Sequence, residues 1–482
     1  MQLYIDGMPS IYETENVTRL FLRQVTVTSG FPRAKDDIIV ARAGKYRLLC
    51  AVRSKGQCLV RTAPAAAGEE QEFALARLLY GLLSEFTGAC PPWGVLTGVR
   101  PVRLVHERWN RGGDDAAVRE EFRMKFLASE QKTELALATA HAQRPLMDAL
   151  PPHSCSLYIG IPFCPSRCSY CSFVSRTIGS EKKLVAPYVE KLCLEVRDIA
   201  GYISKLGLHL CTIYIGGGTP TSLSADELRM LMGTVRECFD IGALEEYTVE
   251  AGRPDCTDFE KLAVLREYGA TRISINPQTL SDEVLAAIGR KHTAEDIYRC
   301  YEDARRAGHN NINMDLIAGL PGDTVAGFTQ SLQGVIAMEP ENITVHTLTL
   351  KRASNLVIDH AEDSYEDVAR MVEKNSLLTD AGYLPYYLYR QKGTLQNLEN
   401  TGFAKPGFEG RYNIYIMEEL HSIFSAGAGG VTKLLAPGTK RIERVFNYKY
   451  PQEYISGFDT MLKRKERIES FYASHLDSET SC

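Results

Sequence analysis

The stretch Tyr158-Ile-Gly-Ile-Pro-Phe-Cys164-Pro-Ser-Arg-Cys168-Ser-Tyr-Cys171 decides the reading of this chain. It sets three cysteines at C-x3-C-x2-C spacing directly after a short apolar run that reads as a strand. Three thiolates are one short of the four that fill a [4Fe–4S] cluster, so one iron is left open to coordinate a substrate or cofactor. A structural zinc site also uses clustered cysteines, but it usually pairs C-x2-C with a second pair or with histidines. No second pair occurs here: Cys155 and Cys193 stand alone, and the nearest downstream histidine is His209. A disulfide framework suits secreted chains, and nothing in this sequence reads as secreted.

Composition bounds the rest. A chain of 482 residues is too long for one simple core, and two or three domains are expected. Hydrophobic content of 44% and charged content of 24% are ordinary for a soluble globular protein. Thirteen cysteines, scattered and odd in number, suit a reducing cytosol, where most serve as small buried hydrophobes. The N-terminus, Met1-Gln-Leu-Tyr-Ile-Asp6-Gly, carries neither the basic nor the apolar segment of a signal peptide. No apolar stretch approaches the ~20 residues of a membrane span. The expected location is therefore cytoplasmic. A net charge of −5 argues against wholesale nucleic-acid binding, and the small basic group Arg100, Arg103 and Arg108 forms no stripe.

Residues 1–150 read as a separate α+β domain of unknown role. Strand-like runs (Val17–Val27, Ile38–Val40, Tyr46–Val52, Cys58–Thr62) precede a helical stretch, Gln71–Phe86, with leucines at helix spacing. Charged helices follow, and Pro151-Pro152 marks a linker. From 155 to 385 strand and helix alternate. Apolar runs at 156–161, 211–215, 246–250, 272–275, 312–318 and 343–350 read as buried strands. Ser224-x-x-Glu227, Thr257-x-x-Glu260 and Thr293-x-x-Asp296 read as helix starts. Six βα units imply a parallel sheet with right-handed crossovers, an α/β partial (β/α)6 barrel whose active site lies at the C-terminal strand ends. Residues 386–482 are expected to form a small C-terminal module.

Polar signals fall where these strands end. Ile215-Gly216-Gly217-Gly218-Thr219-Pro220-Thr221 follows the second strand, and glycines let backbone groups approach a ligand closely. Glu250 ends the third strand, Gln278 the fourth, and Asp315 lies on the fifth. Singly, each fits a hydrogen-bonded strand end; three on successive strands favour a ligand. Arg290, in Ile288-Gly-Arg290-Lys291-His292, reads on its own as a solvated helix-end cation.

The order Y-x-x-I-P-F-C, G-G-G-T-P-T, strand-end Glu, strand-end Gln, Arg, then D-L-I-x-G-L-P resembles the oxygen-independent coproporphyrinogen III oxidase (HemN-like) family of radical S-adenosylmethionine (SAM) proteins. Thr97-Gly-Val-Arg100-Pro and the segment around Ala404-Lys405-Pro406-Gly407 look like the longer HemZ-type subgroup. The resemblance implies two cofactors, a [4Fe–4S] cluster and SAM. It assigns Cys164, Cys168 and Cys171 to the cluster. It assigns Tyr158, Gly217, Gly218, Thr219, Glu250, Gln278, Arg290 and Asp315 to SAM, with Thr349 and Val431 as further contacts; Val431 follows the glycine-rich Phe424-Ser-Ala-Gly427-Ala-Gly429-Gly430.

The resemblance further implies oxidative decarboxylation of coproporphyrinogen III propionates to vinyl groups, giving protoporphyrinogen IX in haem biosynthesis. The implied partners are a tetrapyrrole substrate and an electron donor such as flavodoxin or ferredoxin, and a monomer is expected. A tetra-anionic substrate asks for cations near the barrel mouth, for which Arg176, Arg390, Lys392, Arg411 and Lys433 are candidates. One departure bears on the substrate: the well-understood oxidases of that family carry a fourth cysteine two residues past the triad, where this chain has Phe173. A haem-trafficking protein is the alternative, with His346 and His421 as candidate axial ligands. A radical SAM enzyme acting on another substrate is a further one.

Overall fold

The computed structural model describes the chain apart from residues 9, 23, 32–36, 66–68, 99, 174, 350–366, 392–393, 437–438, 440 and 477–482. Two compact units result, Met1–Ala140 with Leu388–Glu399, and His141–Tyr387 with Asn400–Cys482.

The first unit begins with a five-stranded sheet of β1 (Gln2–Asp6), β2 (Thr26–Thr28), β3 (Ile38–Ala43), β4 (Arg47–Ser54) and β5 (Gln57–Pro64), ordered β2-β1-β3-β4-β5. Strict alternation along β4 buries Leu48, Cys50 and Val52 on one face, the signature of a half-covered strand. Helices Tyr12–Phe21 and Glu69–Thr87 supply Val17, Leu75, Leu79, Leu82 and Leu83 to the same core. The expected strand Val17–Val27 is thus half helix. Thr14, Val17 and Thr18 share one buried face, and the Thr18 hydroxyl donates to the Thr14 carbonyl at 2.8 Å, so packing overrides β-branched propensity. Glu399 is held in this unit by Lys132 at 2.5 Å and by Trp93 Nε1–H at 2.8 Å.

The second unit is built on a long sheet. Its centre is six parallel strands, β6 (Ser154–Ile161), β9 (His209–Gly217), β10 (Glu246–Glu250), β11 (Arg272–Ser274), β12 (Ile312–Ala318) and β13 (Asn342–Thr347), adjacent in that order. A two-stranded ribbon, β7 (Phe163–Cys164) with β8 (Arg176–Thr177), closes the loop after β6. Near-continuous burial along β6, β10 and β12 is what helices on sheet faces demand of parallel strands. Helices Ile178–Lys205, Ala225–Cys238, Phe259–Glu267, Ala294–Arg306 and Val325–Ala337 make the crossovers. Capping boxes start two of them, at Ser224/Glu227 and Thr293/Asp296. At the third expected start the cap is Asp258, whose carboxylate accepts from Lys261 N–H at 2.9 Å. Thr257 does not cap because its hydroxyl bonds Thr221 Oγ1 at 2.7 Å.

The expected C-terminal module adds strands to this same sheet. Beyond β13 lie β15 (Glu399–Ala404), antiparallel, and β14 (Leu384–Arg390). Beyond β6 lie β16 (Ser422–Ala426), parallel, then the antiparallel β17 (Val431–Leu435) and β18 (Ile442–Phe446). The turn after β16 is clamped by a buried network. Glu195 accepts from Gly427 N–H and Asn447 Nδ2, each at 2.7 Å, and pairs with Lys465 at 2.7 Å, both charges fully buried. Among the described residues no helix is long and apolar enough to cross a membrane.

Candidate cofactor site

Parallel strands place all their C-terminal ends on one edge, and there the cysteine loop is fastened. The Gly218 and Thr219 N–H groups donate to the carbonyls of Ile161 (2.7 Å) and Phe163 (2.8 Å), so the end of β9 stitches down the chain entering Cys164. Thr219 Oγ1 donates to Cys164 Sγ at 3.6 Å. From the loop after β10, Arg253 reaches the loop's middle. Its Nη1 donates to the Ser166 carbonyl (3.0 Å) and to Cys168 Sγ (3.6 Å), and its Nη2 to Ser166 Oγ (2.9 Å). Cys168 is buried, and Cys164 and Cys171 are half-buried. Burial pushes the Cys164 and Cys171 thiols up.

The three cysteines open on one cavity of ≈ 480 Å³, counted with its mouth. Gly218, Thr219, Glu250 and Arg290 also line it, and so do Arg253 and Asn276. The expected solvated cation Arg290 is in fact buried. It donates to the carbonyls of Asn276 (3.0 Å) and Gly252 (3.3 Å) and to Tyr170 Oη (3.1 Å), because Gly289 turns it back under the strand ends. Arg290 Nε and Asn276 Oδ1 are buried without a hydrogen-bond partner. A buried polar atom left unpaired at a cavity wall is what a polar ligand would satisfy.

Glu250 accepts from Tyr214 Oη at 2.7 Å. Burial lifts its carboxyl to about 7, although the Tyr214 bond works the other way. The glycine run owes its composition to these neighbours. A Cβ at 216 would press on the Tyr214 ring (2.7 Å) and the Glu250 carboxylate (2.8 Å). At 218 it would meet the Phe163 carbonyl and, at 3.0 Å, Cys164 Sγ. Gly217 has φ +112°, where an L side chain is strained.

Further residues of the expected set do not line this cavity. Tyr158 stacks on Tyr214 and Tyr412, with ring centroids 6.1 and 6.5 Å away, and Tyr214 and Tyr412 are 4.6 Å apart. Gln278 lies past the end of β11 rather than in it. After Pro277 it takes φ +68° and bridges β12, donating its N–H to the Asp315 carbonyl at 2.8 Å. Asp315 accepts from Asn313 Nδ2 at 2.7 Å and faces His346 Nε2 at 3.7 Å. Burial alone would raise the Asp315 carboxyl, but His346, Asn313 and Arg272 hold it below the usual range. The Thr349 hydroxyl donates to the Thr347 carbonyl at 3.3 Å, and Val431 opens β17; neither lines the cavity.

The expected cations divide. Arg390 is buried in the first unit and donates to the Leu96 and Asn397 carbonyls, a structural clamp and no substrate contact. Arg411 pairs with Glu245 at 3.2 Å. Arg176 lies over the Tyr450 ring at 5.2 Å, Lys433 is on β17, and Lys392 lies outside the described residues. His421 is buried, with Nε2 at 2.7 Å from Ser156 Oγ. Phe173 is 67% exposed. Sequence reasoning missed Arg253, Asn276, Tyr214 and Tyr412. Arg253 and Asn276 did carry a signal, in Glu250-Ala-Gly-Arg253-Pro-Asp255 and Ser274-Ile-Asn276-Pro277, polar runs just past strand ends.

Among the described residues no three His, Cys, Asp or Glu side chains are arranged around a single metal ion. A cluster asks for something else, one thiolate to each of three irons, and three thiols around one cavity fit that demand. The orphaned Arg290 Nε and Asn276 Oδ1 beside them fit a polar ligand on the open iron.

A family model described as the radical SAM superfamily matches residues 158–333. The oxygen-independent coproporphyrinogen-III oxidase-like protein HemZ of Bacillus subtilis (strain 168) is 41% identical over 401 residues, 80% of this chain and 79% of that protein. The heme chaperone HemW of the same organism is 33% identical over 290 residues, 57% of this chain and 70% of that protein. The solved structure of coproporphyrinogen III oxidase (HemN) from Escherichia coli, a radical SAM enzyme, superposes with a TM-score of 0.52 at 23% identity. It covers 67% of this chain and 73% of that one, a likeness of fold.

Proposed function

The chain belongs to the oxygen-independent coproporphyrinogen-III oxidase-like family of radical SAM proteins, and from that premise we propose that it is an oxidoreductase removing propionate carboxylates from coproporphyrinogen III. Its cofactors are a [4Fe–4S] cluster and SAM. Cys164, Cys168 and Cys171 would hold three of the irons. Gly218, Thr219, Glu250 and Arg290, which line the cavity, would receive SAM; the family resemblance adds Gly217, Tyr158, Gln278, Asp315, Thr349 and Val431, which do not line it.

When bound, these cofactors would supply hydrogen-atom abstraction chemistry. The chain's own residues bind, orient and exclude water. Arg253 and Thr219 fasten the loop that carries the three thiols to the cavity wall, where a bound ligand would displace water from the reacting centre. Glu250, with its carboxyl near 7, can hold or release a proton at the cavity wall without large cost. Converting each propionate to a vinyl group would release CO2, a hydrogen atom and one electron, the last to an external acceptor, and two such conversions would give protoporphyrinogen IX. The one-electron donor would be of the flavodoxin or ferredoxin kind.

The observation that carries this reading is the convergence of three thiols, a glycine strand end, Glu250, Asn276 and Arg290 on one cavity. The substrate rests on the family. Anaerobic incubation of reconstituted protein with SAM, a reductant and coproporphyrinogen III, read by mass spectrometry, tests it. Stepwise loss of two carboxyl groups is expected; unchanged substrate alongside SAM cleavage would move the chain to another substrate. A second reading, haem trafficking, draws on the 33% identity to a heme chaperone and on an exposed Phe173 in place of a fourth cysteine. Optical titration with haem separates the two.

A further inference from the structure

Arg253 has an arrangement that loop packing alone does not require. It is 4% exposed, on the first residues after β10. Asp255 grips one edge of the guanidinium in a fork, taking Nε–H at 2.9 Å and Nη2–H at 2.7 Å. That grip fixes the plane and leaves Nη1 pointing at the cysteine loop, where it donates to Cys168 Sγ at 3.6 Å and to the Ser166 carbonyl at 3.0 Å. A buried, permanently cationic donor is thus held on one cysteine sulfur, while Cys164 is met by the neutral hydroxyls of Thr219 and Ser175.

The geometry points to Arg253 as a positioning residue that sets the reduction potential of the cluster through a charge-assisted N–H···S bond to Cys168. The inference rests on the cluster assignment above. Hydrogen bonds to cluster sulfurs and local charge are among the levers that set such potentials. Each electron added to the cluster adds negative charge beside the guanidinium, so Arg253 favours the reduced state. Its loss makes reduction harder.

The test is the midpoint potential of the reconstituted cluster, followed by EPR, in wild type and in Arg253→Met, Arg253→Gln and Arg253→Lys, with iron content measured on each. Iron in the wild type checks the cluster assignment itself; the midpoint checks Arg253. Arg253→Met should lower the midpoint by the equivalent of about tenfold in reducibility, 59 mV for a one-electron couple. Arg253→Gln, which keeps a neutral donor, should fall between, and Arg253→Lys should recover part of the shift. If the methionine variant sheds iron, the glutamine variant carries the comparison. Wild-type midpoints in iron-loaded variants would overturn the inference. Loss of iron from all three would also overturn it, leaving Arg253 a role in holding the loop alone.

Discussion

Gly218→Ala is a single methyl group aimed at the joint between the glycine strand end and the cysteine loop. The backbone at 218 lies outside the left-handed region, so the substitution adds bulk and little conformational strain. The added Cβ would lie closer than 3.0 Å to the Phe163 carbonyl, and at 3.0 Å from both Cys164 Sγ and the Ile161 carbonyl. Two of these three atoms are backbone and cannot rotate away. Restoring ordinary contact requires the Phe163–Cys164 segment to retreat by about 1 Å. That retreat strains the Thr219 N–H bond to Phe163 (2.8 Å) and the Gly218 N–H bond to Ile161 (2.7 Å). Overpacking of this kind costs about 1–3 kcal/mol, and each weakened hydrogen bond up to about 1 kcal/mol more. The strain falls on a cluster ligand, so Gly218→Ala should lose cluster iron as well as SAM. Gly216→Ala is the control. Its methyl presses on Tyr214 and Glu250 side chains, so it should keep iron and weaken SAM binding. Iron per chain after anaerobic reconstitution, with SAM affinity by equilibrium binding, distinguishes them. Full iron in Gly218→Ala with SAM binding alone impaired would refute the reasoning and make position 218 a ligand-facing glycine only.

Three further outcomes follow from the same structure. Burial raises the Glu250 carboxyl from 4.5 to about 7, so between those values the folded protein keeps a proton the unfolded chain has released. Stability of the protein without cofactors should therefore decline as pH rises through that window, and Glu250→Gln should flatten the decline in thermal melts; an unchanged slope would contradict it. Lys465→Met strands the fully buried Glu195 charge and should destabilise by about 3–5 kcal/mol in denaturant unfolding, against well under 1 kcal/mol if the pair is dispensable. A fragment starting at 153 discards Leu146, Met147 and Leu150, which pack on Tyr386, Ile414 and Tyr415, at roughly 1–2 kcal/mol each. It should melt below a fragment starting at 141, and equal melting would show those contacts to be idle.

Local signals carried the sequence reading wherever one element explains itself. The runs 246–250 and 312–318 are strands with those bounds, because two-sided burial writes a continuous apolar run. Ser224 and Thr293 cap as their spacing says. Where distant partners decide, the sequence is silent or misleads. Thr257 looked like a cap until Thr221, from another loop, claimed its hydroxyl. Arg290 looked like a surface cation because nothing local announces the carbonyls of Gly252 and Asn276 that surround it. The parallel seat of β16 beside β6 joins residues 267 positions apart, and no period in the chain records it. The cysteine triad was legible at once, whereas Arg253, which touches Cys168, became visible only when the loops came together.

The central claim is that Cys164, Cys168 and Cys171 together hold a cluster with one iron left open to SAM. It is tested most directly by iron content and EPR of the anaerobically reconstituted, reduced protein, with and without SAM, in wild type and in the triple cysteine-to-alanine variant. Wild type should hold about four irons per chain and give a spectrum that changes when SAM is added, and the variant should show neither. Full iron and a SAM-dependent spectrum in the triple variant would contradict it.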